Sequence, residues 1–251
     1  MIDVNTAIGH WPFRPLPDSV ETLSQQMQLS GIKKALVSNI NSIFYKDPMD
    51  GNEELFKWLV RPELFLACVI NPTFSGWKQD LLICVHDFRA KAVKLYPGYH
   101  HYSVESAATF SLFETCIELE VPVIIVLRLE DERIGHDLAI VHSLPLDQIA
   151  RTAQAFPHAR IVLSGCNGEE VKVLCQQKDC SNLYFEISNV NAPLDPIREL
   201  SQHIAPKRLL LGTNYPHQYM LPSIRKLDNS ILENTIKQNI ACDNAQRLFK
   251  I

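Results

Sequence analysis

Long apolar runs and a surplus of positive charge are both missing from this 251-residue sequence. Its 24 Lys and Arg residues against 28 Asp and Glu residues give a net charge of −4 at pH 7. The basic residues are scattered, so there is no basic stripe for nucleic acid and no polybasic arm for a membrane surface. The opening "MIDVNTAIGH" has no basic segment followed by an apolar one, and no apolar run approaches the length of a membrane span. We therefore expect a cytoplasmic protein with no nucleic-acid or membrane partner.

Paired cysteines are also missing. The sequence has seven cysteines, an odd number, and no two of them form a C-x-x-C motif. Most of them lie inside apolar segments, where a disulfide framework of the secreted type is not expected. We expect buried free thiols.

The sequence does contain a series of short apolar runs that are typical of strands. They lie at residues 2–5, 34–39, 64–71, 90–96, 122–128, 159–165, 183–188 and 208–214. These runs are almost continuously apolar rather than alternating, which is expected when helices cover one face of a sheet and a barrel interior covers the other. They predict eight parallel strands.

Amphipathic segments with helical periodicity lie between these runs. They cover residues 19–29, 52–60, 76–87, 104–120, 146–156, 168–177, 195–203 and 231–249. Eight strand–helix units in a chain of this length predict an α/β protein with a (β/α)8 TIM barrel. An open doubly wound sheet is the alternative, which the absence of G-x-G-x-x-G after the first strand weakens. No linker or low-complexity stretch interrupts the chain, so we predict a single domain over residues 1–251.

The longest interruption of this pattern is the segment 130–145, "EDERIGHDLAIVHSLP", after the fifth strand. Loops at the carboxyl ends of barrel strands build the active sites of these proteins. A loop of this length therefore favours a role in shaping a substrate pocket over a charged surface excursion.

Five motifs occur in the order of a known family. "IDVNTAIG" is similar to I-D-x-H-x-H-x-G, "VKLYP" to V-K-L-H-P, and "FPHARIVLSG" to F-P-x-x-x-I-V-L-A-H. "GTNYPH" is similar to G-S/T-D-x-P-H, and "IACDNAQRLF" ends like N-A-x-R-L-F. On these motifs the sequence resembles the amidohydrolase superfamily, specifically its amidohydrolase-related branch of metal-dependent hydrolase-like barrels. The resemblance extends from end to end and implies the same barrel.

The departures from the family pattern fall on the metal site that the resemblance implies. The family's histidines correspond to Asn5, Ala7, Val126 and Gly165, and its eighth-strand aspartate corresponds to Asn214. Ala, Val and Gly side chains offer no donor atom, and Asn offers only a neutral amide, whereas a catalytic zinc site has imidazole, thiolate or carboxylate ligands. We expect no metal and no other cofactor, and therefore no metal-activated hydroxide.

Three charged residues lie on strands four, five and seven. Lys94 and Arg128 lie near the ends of their strands, and Glu186 lies within the seventh. An unpaired charge under the helix layer would be costly, so we expect these side chains to meet at the barrel interior or its mouth. One interpretation is an ion-pair network that replaces the metal, and the other is a site in which Lys94 and Arg128 receive an anionic substrate group.

Several loop residues after the strands are suited to proton transfer. His10 follows the first strand, His217 follows Pro216 in a family motif, and Glu130 is the acid nearest the end of the fifth strand. Loop histidines are usually solvated, and the charge run "LEDER" is typical of a solvated face. We predict Lys94, Glu130 and His217 as catalytic residues, and Asn5, His10, Arg128, Glu186 and Asn214 as substrate-binding residues.

Two classes of function follow. One is a metal-independent hydrolase of the lactonase or isomerase kind, acting on a small carboxylate-bearing molecule such as a lactone or sugar acid, since the superfamily includes such enzymes. The other is a catalytically inactive barrel that binds a metabolite or a protein partner. A relocated metal site built from His100, His101 or His136 is a third reading, although adjacent side chains diverge. The partner we expect is a small anionic molecule, and the sequence leaves a homodimer open.

Overall fold

The computed structural model describes residues 1–130, 136, 141, 143–191 and 194–251. Its strands form one parallel sheet in chain order. They are β1 (Ile2–Ile8), β2 (Lys34–Asn39), β3 (Leu64–Val69), β4 (Ala92–Leu95), β5 (Val123–Val126), β6 (Ile161–Ser164), β7 (Leu183–Glu186) and β8 (Leu209–Leu210). Each of the eight predicted strands is present.

Backbone hydrogen bonds join the end of this sheet to its beginning. The Val4 N–H donates to the Leu211 carbonyl at 2.9 Å, and the Ala7 N–H donates to the Tyr215 carbonyl at 2.8 Å. The first strand therefore pairs with the segment that follows β8, and the sheet nearly closes on itself. The predicted (β/α)8 barrel is confirmed.

Helices follow the strands around the barrel. They are α1 (Val20–Ser30), α2 (Pro48–Trp58), α3 (Trp77–His86), α4 (Pro97–His100), α5 (Ala107–Glu118), α6 (Leu146–Ala155), α7 (Gly168–Cys175), α8 (Pro196–His203), α9 (Met220–Asp228), α10 (Asn234–Gln238) and α11 (Asn244–Phe249). A capping box at Ser19 begins α1, and Gly31, with φ of 70°, ends it.

The chain after β8 differs from the expectation. The helix α9 was not predicted, because Pro222 argues against a helix interior. Proline is nevertheless tolerated within the first turn of a helix, because a backbone N–H at that place would have no partner in the helix. The predicted helix 231–249 is divided into α10 and α11 by a π-helical segment, Asn239–Asp243.

Three layers of side chains fill the barrel interior. On β4 the inward residues are Ala92, Lys94 and, just beyond the strand, Tyr96, which follow the two-residue alternation of a strand. Ala92 belongs to an apolar layer at the amino ends of the strands, and Tyr96 belongs to an aromatic layer with Trp11 at the carboxyl ends. Lys94 lies between them, in a polar layer.

Other expectations have mixed outcomes. The cysteines are free, and only Cys175 and Cys242 are partly exposed. In the described part of the chain, no helix is both long and apolar enough to span a bilayer. Most of the loop 130–145, including Asp131, Glu132 and Arg133, lies outside the described residues, so its expected role in a pocket stays a prediction.

Candidate active site

Asn5 lies at the centre of the polar layer. Its Oδ1 accepts a hydrogen bond from Lys94 Nζ at 2.9 Å, and its Nδ2 donates to Ser164 Oγ at 2.9 Å. Nδ2 is also 3.4 Å from Glu186 Oε1. One neutral amide therefore bridges a cation from β4 and an anion from β7 across the barrel.

Lys94 is a buried cation whose hydrogen-bond partners are neutral. Its side chain is almost fully buried, and besides Asn5 it donates to Ser38 Oγ at 3.2 Å. The Tyr96 ring centroid is 5.7 Å from Nζ, which adds a weak cation–π contact. No carboxylate of the described residues is within ion-pairing distance of Nζ. The ammonium thus carries a charge that the protein itself does not neutralise at close range.

Glu186, in contrast, accepts hydrogen bonds at both of its carboxylate oxygens. Its Oε1 accepts from the Gly165 N–H and from Ser188 Oγ, both at 2.8 Å, and from Ser164 Oγ at 3.2 Å. Its Oε2 accepts from the Ser188 N–H at 2.7 Å. Gly212 leaves the space, since a Cβ there would lie 2.4 Å from Oε2. This carboxylate organises the polar layer through hydrogen bonds and not through the ion-pair network that was the first interpretation of Lys94, Arg128 and Glu186.

The sequence led us to expect Arg128 beside Lys94 and Glu186, but Arg128 forms no hydrogen bond or ion pair with either of them. Its Nη1 and Nη2 donate to the two carboxylate oxygens of Glu170 at 2.7 and 2.5 Å, and Nη1 also donates to the Gly165 carbonyl. Glu170 belongs to the capping box that begins α7. Arg128 and Glu186 therefore bind opposite sides of the Gly165 residue, and the bidentate ion pair fixes α7 beside the barrel mouth.

Glu130 forms a second ion pair at the mouth. Its partner is Arg14, which was not among the predicted site residues. Arg14 Nη2 and Nε donate to Glu130 Oε1 at 2.6 and 3.0 Å, and Nη2 also donates to the His217 carbonyl at 3.2 Å. The only signal for Arg14 was its place at the end of "GHWPFR" after β1. The contact brings two predicted catalytic residues, Glu130 and His217, to the same guanidinium.

His217 is buried with neither ring nitrogen hydrogen-bonded within the described residues. Its ring contacts Trp11 edge-on with centroids 4.7 Å apart, and Trp11 Nε1 is likewise buried without a partner. Burial, and then the positive charges of Arg14 and Lys94, lower the pKa of His217 to about 3. The imidazole is therefore neutral near pH 7 and keeps one nitrogen as a free acceptor.

The last two predicted substrate-binding residues have different positions. Asn214 is buried with φ of 58°, and its Nδ2 donates to the Leu129 carbonyl at 2.8 Å, which ties the end of β8 to the end of β5. His10 is exposed, and its backbone N–H donates to Asn41 Oδ1 at 2.8 Å. Asn214 is thus buried at the carboxyl ends of the strands, whereas His10 is exposed.

A buried carboxyl that the sequence analysis also missed lies directly beneath Asn5. Asp3 Oδ1 accepts from the Asn5 and Thr213 N–H groups at 3.0 and 3.1 Å, and Oδ2 accepts from Thr213 Oγ1 at 2.5 Å. Burial raises the pKa of Asp3 from 3.8 to about 7, although these hydrogen bonds act in the opposite direction.

The residues that the motif resemblance aligns with metal ligands do not fit a divalent cation. The Asn5 oxygen is occupied by an ammonium, which would repel a metal, and the Asn214 amide nitrogen is bound to a carbonyl. Ala7, Val126 and Gly165 have no donor side chain. Across the residues that the structure describes, no three His, Cys, Asp or Glu side chains are grouped to hold a metal ion.

Solved structures with the same fold include enzymes. A 2,6-dihydroxybenzoate decarboxylase complexed with 2,6-dihydroxybenzoate has a TM-score of 0.77 and 15% identity over 100% of this chain and 99% of its own. A 5-carboxyvanillate decarboxylase from Novosphingobium aromaticivorans, with manganese and 4-hydroxy-3-methoxy-5-nitrobenzoic acid, has a TM-score of 0.78 and 12% identity over 100% and 96%. An uncharacterised TIM-barrel protein from Bordetella bronchiseptica has a TM-score of 0.74 and 17% identity over 99% and 98%.

Sequence identities this low establish a shared fold, and they do not establish a shared activity or substrate. A comparison with curated proteins finds no match. The family model described as Amidohydrolase matches residues 52–251, which is most of the chain and includes β3 to β8. The chain belongs to the amidohydrolase family.

Proposed function

We propose that this chain is an enzyme that acts, without a metal, on a small molecule bearing a carboxylate. The observation that carries the proposal is the Lys94 ammonium, which is buried at the centre of the barrel and has only neutral partners. Keeping such a charge out of water is costly unless a counter-charge is supplied. A substrate carboxylate would supply it.

The aromatic layer favours a substrate with a flat ring. Trp11 contacts Phe13 and Tyr99 edge-on, with centroids 5.2 and 6.3 Å apart, and it contacts the His217 ring as well. Two of the structures with this fold are decarboxylases of aromatic carboxylates by their descriptions. We therefore place ring-bearing carboxylates ahead of sugar acids among the candidate substrates.

His217 is the proton carrier in this proposal. Without a ligand, burial, and then the positive charges of Arg14 and Lys94, lower the pKa of His217 and keep its imidazole neutral. A carboxylate bound to Lys94 would offset the charge of these cations and raise the pKa of His217, so that the ring gains basicity when substrate is present. Buried polar groups without partners are rare in proteins, and those on His217 and Trp11 would be satisfied by the same ligand.

Glu130 and Arg14 have a supporting role in the proposed reaction. Their ion pair holds Arg14 against the His217 carbonyl, and Glu130 is itself almost buried. Hydrolysis, isomerisation and decarboxylation each need a proton transfer close to the substrate carboxylate. Such a transfer is the chemistry to which these residues are suited.

The experiment measures binding and turnover of 2,6-dihydroxybenzoate and 5-carboxyvanillate by chelator-treated protein. Lys94→Met should weaken binding by about tenfold or more, because it removes the charge and keeps the length of the side chain. Lys91→Met, directly before the amino end of the same strand, is the control and should leave binding unchanged. Binding that requires added manganese, or that survives Lys94→Met, would contradict the proposal.

A non-catalytic barrel that binds a metabolite is the alternative, and Glu130→Gln and His217→Asn separate the two. In an enzyme, each variant keeps binding and loses turnover, because the amide of His217→Asn carries no proton and Glu130→Gln removes the charge that holds Arg14 against the His217 carbonyl. In a binder, the unmodified protein binds these probes and forms no product.

A further inference from the structure

A cavity, which we name the basal cavity, lies at the end of the barrel opposite to the proposed active site. Its volume is about 690 Å³, within the range of small-molecule sites. Arg160 precedes β6, Tyr184 lies in β7, and Arg208 precedes β8, so the amino ends of three neighbouring strands form one wall. Arg247 of α11 lies on the other side. We propose that the basal cavity binds a small molecule with two or more anionic groups, such as a phosphorylated metabolite.

The charge of the lining is the first reason. Arg160, Lys207, Arg208 and Arg247 line the cavity, and its lining residues include no Asp or Glu. None of these four cations forms an ion pair with any described residue. Four cations around one cavity, none of them with an ion-pairing partner among the described residues, repel one another. A multiply charged anion would remove this repulsion.

The donors are also held in place and only partly used. Arg208 Nε and Nη2 donate to the Leu183 and Cys180 carbonyls at 2.6 and 2.8 Å. A guanidinium has about five N–H donors, so about three remain for a ligand. Tyr184 is half-buried and adds a hydroxyl group to the lining of the same cavity. Planar guanidinium groups match pairs of phosphate oxygens, which favours phosphate over a single carboxylate.

The helix that forms the other wall is anchored and irregular. Arg247 Nη2 donates to Asn244 Oδ1 at 2.6 Å, while the buried Asn244 Nδ2 donates to the Pro206 and Leu209 carbonyls at 2.9 and 2.8 Å. The π-helical segment Asn239–Asp243 precedes α11 and brings Asn239 to the cavity lining. Such segments are rare and occur frequently at functional sites. This π-helical segment is a second feature, independent of charge, that distinguishes this end of the barrel.

The test uses calorimetry on the full-length protein, at constant ionic strength, with tripolyphosphate, pyrophosphate and orthophosphate as probes. We expect saturable one-to-one binding that is strongest for tripolyphosphate. The double variant Lys207→Gln/Arg247→Gln removes two exposed cations and should weaken that binding on the order of tenfold. Lys46→Gln/Lys78→Gln removes two exposed cations elsewhere and should leave it unchanged.

Equal weakening in both double variants would mean that the anion responds only to net charge, and it would overturn the proposal. Absence of saturable binding would do the same. Tyr184→Phe provides a further variant that changes no charge, and we expect weaker tripolyphosphate binding with unchanged thermal unfolding. The carboxylate probes of the proposed active site should bind equally well to all of these variants, so the two proposals can fail separately.

Discussion

Lys94 Nζ donates to Asn5 Oδ1 at 2.9 Å, and the other end of the same Asn5 side-chain amide reaches the Glu186 carboxylate, with Nδ2 3.4 Å from Oε1. The cation and the anion share one neutral bridge rather than a direct ion pair. This arrangement leaves the ammonium partly uncompensated within the described residues, and it makes Asn5 responsible for two buried charged groups at once.

Replacement of Asn5 by Leu should therefore destabilise the fold. It removes one of the two hydrogen bonds that Lys94 makes, together with the contacts to Ser164 and Glu186, for an expected loss of about 2–4 kcal/mol in the free energy of unfolding. Urea denaturation measures this loss. Asn229→Leu, at the exposed end of α9, should change stability by less than about 0.5 kcal/mol. Equal effects of the two variants would show that the bridge contributes nothing.

Gly212→Ala should be poorly tolerated, because the new Cβ would lie 2.4 Å from Glu186 Oε2 and 2.8 Å from Glu186 Cβ. Glu186 is held by several hydrogen bonds and cannot move freely, so we expect a loss of about 1–3 kcal/mol. Gly76→Ala is the matched control, since the nearest atom to its new Cβ would be 3.6 Å away. A melting temperature for Gly212→Ala equal to that of Gly76→Ala would contradict the packing described here.

Asp3 should make stability fall as pH rises. Its pKa is raised from 3.8 to about 7 in the folded protein, so between these values the folded state keeps a proton that the unfolded state has lost. Stability from this group is complete below the unfolded pKa and is lost by about pH 7, for a total of up to about 4 kcal/mol. Asp3→Asn should remove this slope from denaturation curves recorded between pH 4 and 7. An unchanged slope would mean that Asp3 is ionised throughout.

Arg128 and Glu170 should be coupled in stability rather than in substrate binding. Both side chains are mostly buried and form a bidentate pair, so a double-mutant cycle with Arg128→Met and Glu170→Gln should give about 1–3 kcal/mol of coupling energy. The exposed pair of Arg151 with Glu105 is the reference and should give a much smaller value. Loss of ligand binding in Arg128→Met with unchanged stability would restore its predicted role at the substrate.

The barrel and the inward direction of Lys94 were predictable because both follow from local patterns. Apolar runs of strand length define the sheet, and the alternation along β4 determines which side chains face inward. The partner of Arg128 was not predictable, because Glu170 is 42 residues away and belongs to a helix cap whose geometry no spacing encodes. His10 shows the same limit, since a residue after a barrel strand can face solvent as easily as the mouth.

The pairing of β1 with residues 211–215 also bears on how the chain is made. Until those residues leave the ribosome, one edge of β1 has no partner, and Asn5 lacks the Glu186 side of its bridge until β7 has been synthesised. The polar layer joins the first, fourth, sixth and seventh strands, so it cannot form in any amino-terminal fragment that ends before residue 186. Nascent chains shorter than this would expose the unpaired edge of β1, a feature that favours aggregation before the barrel closes.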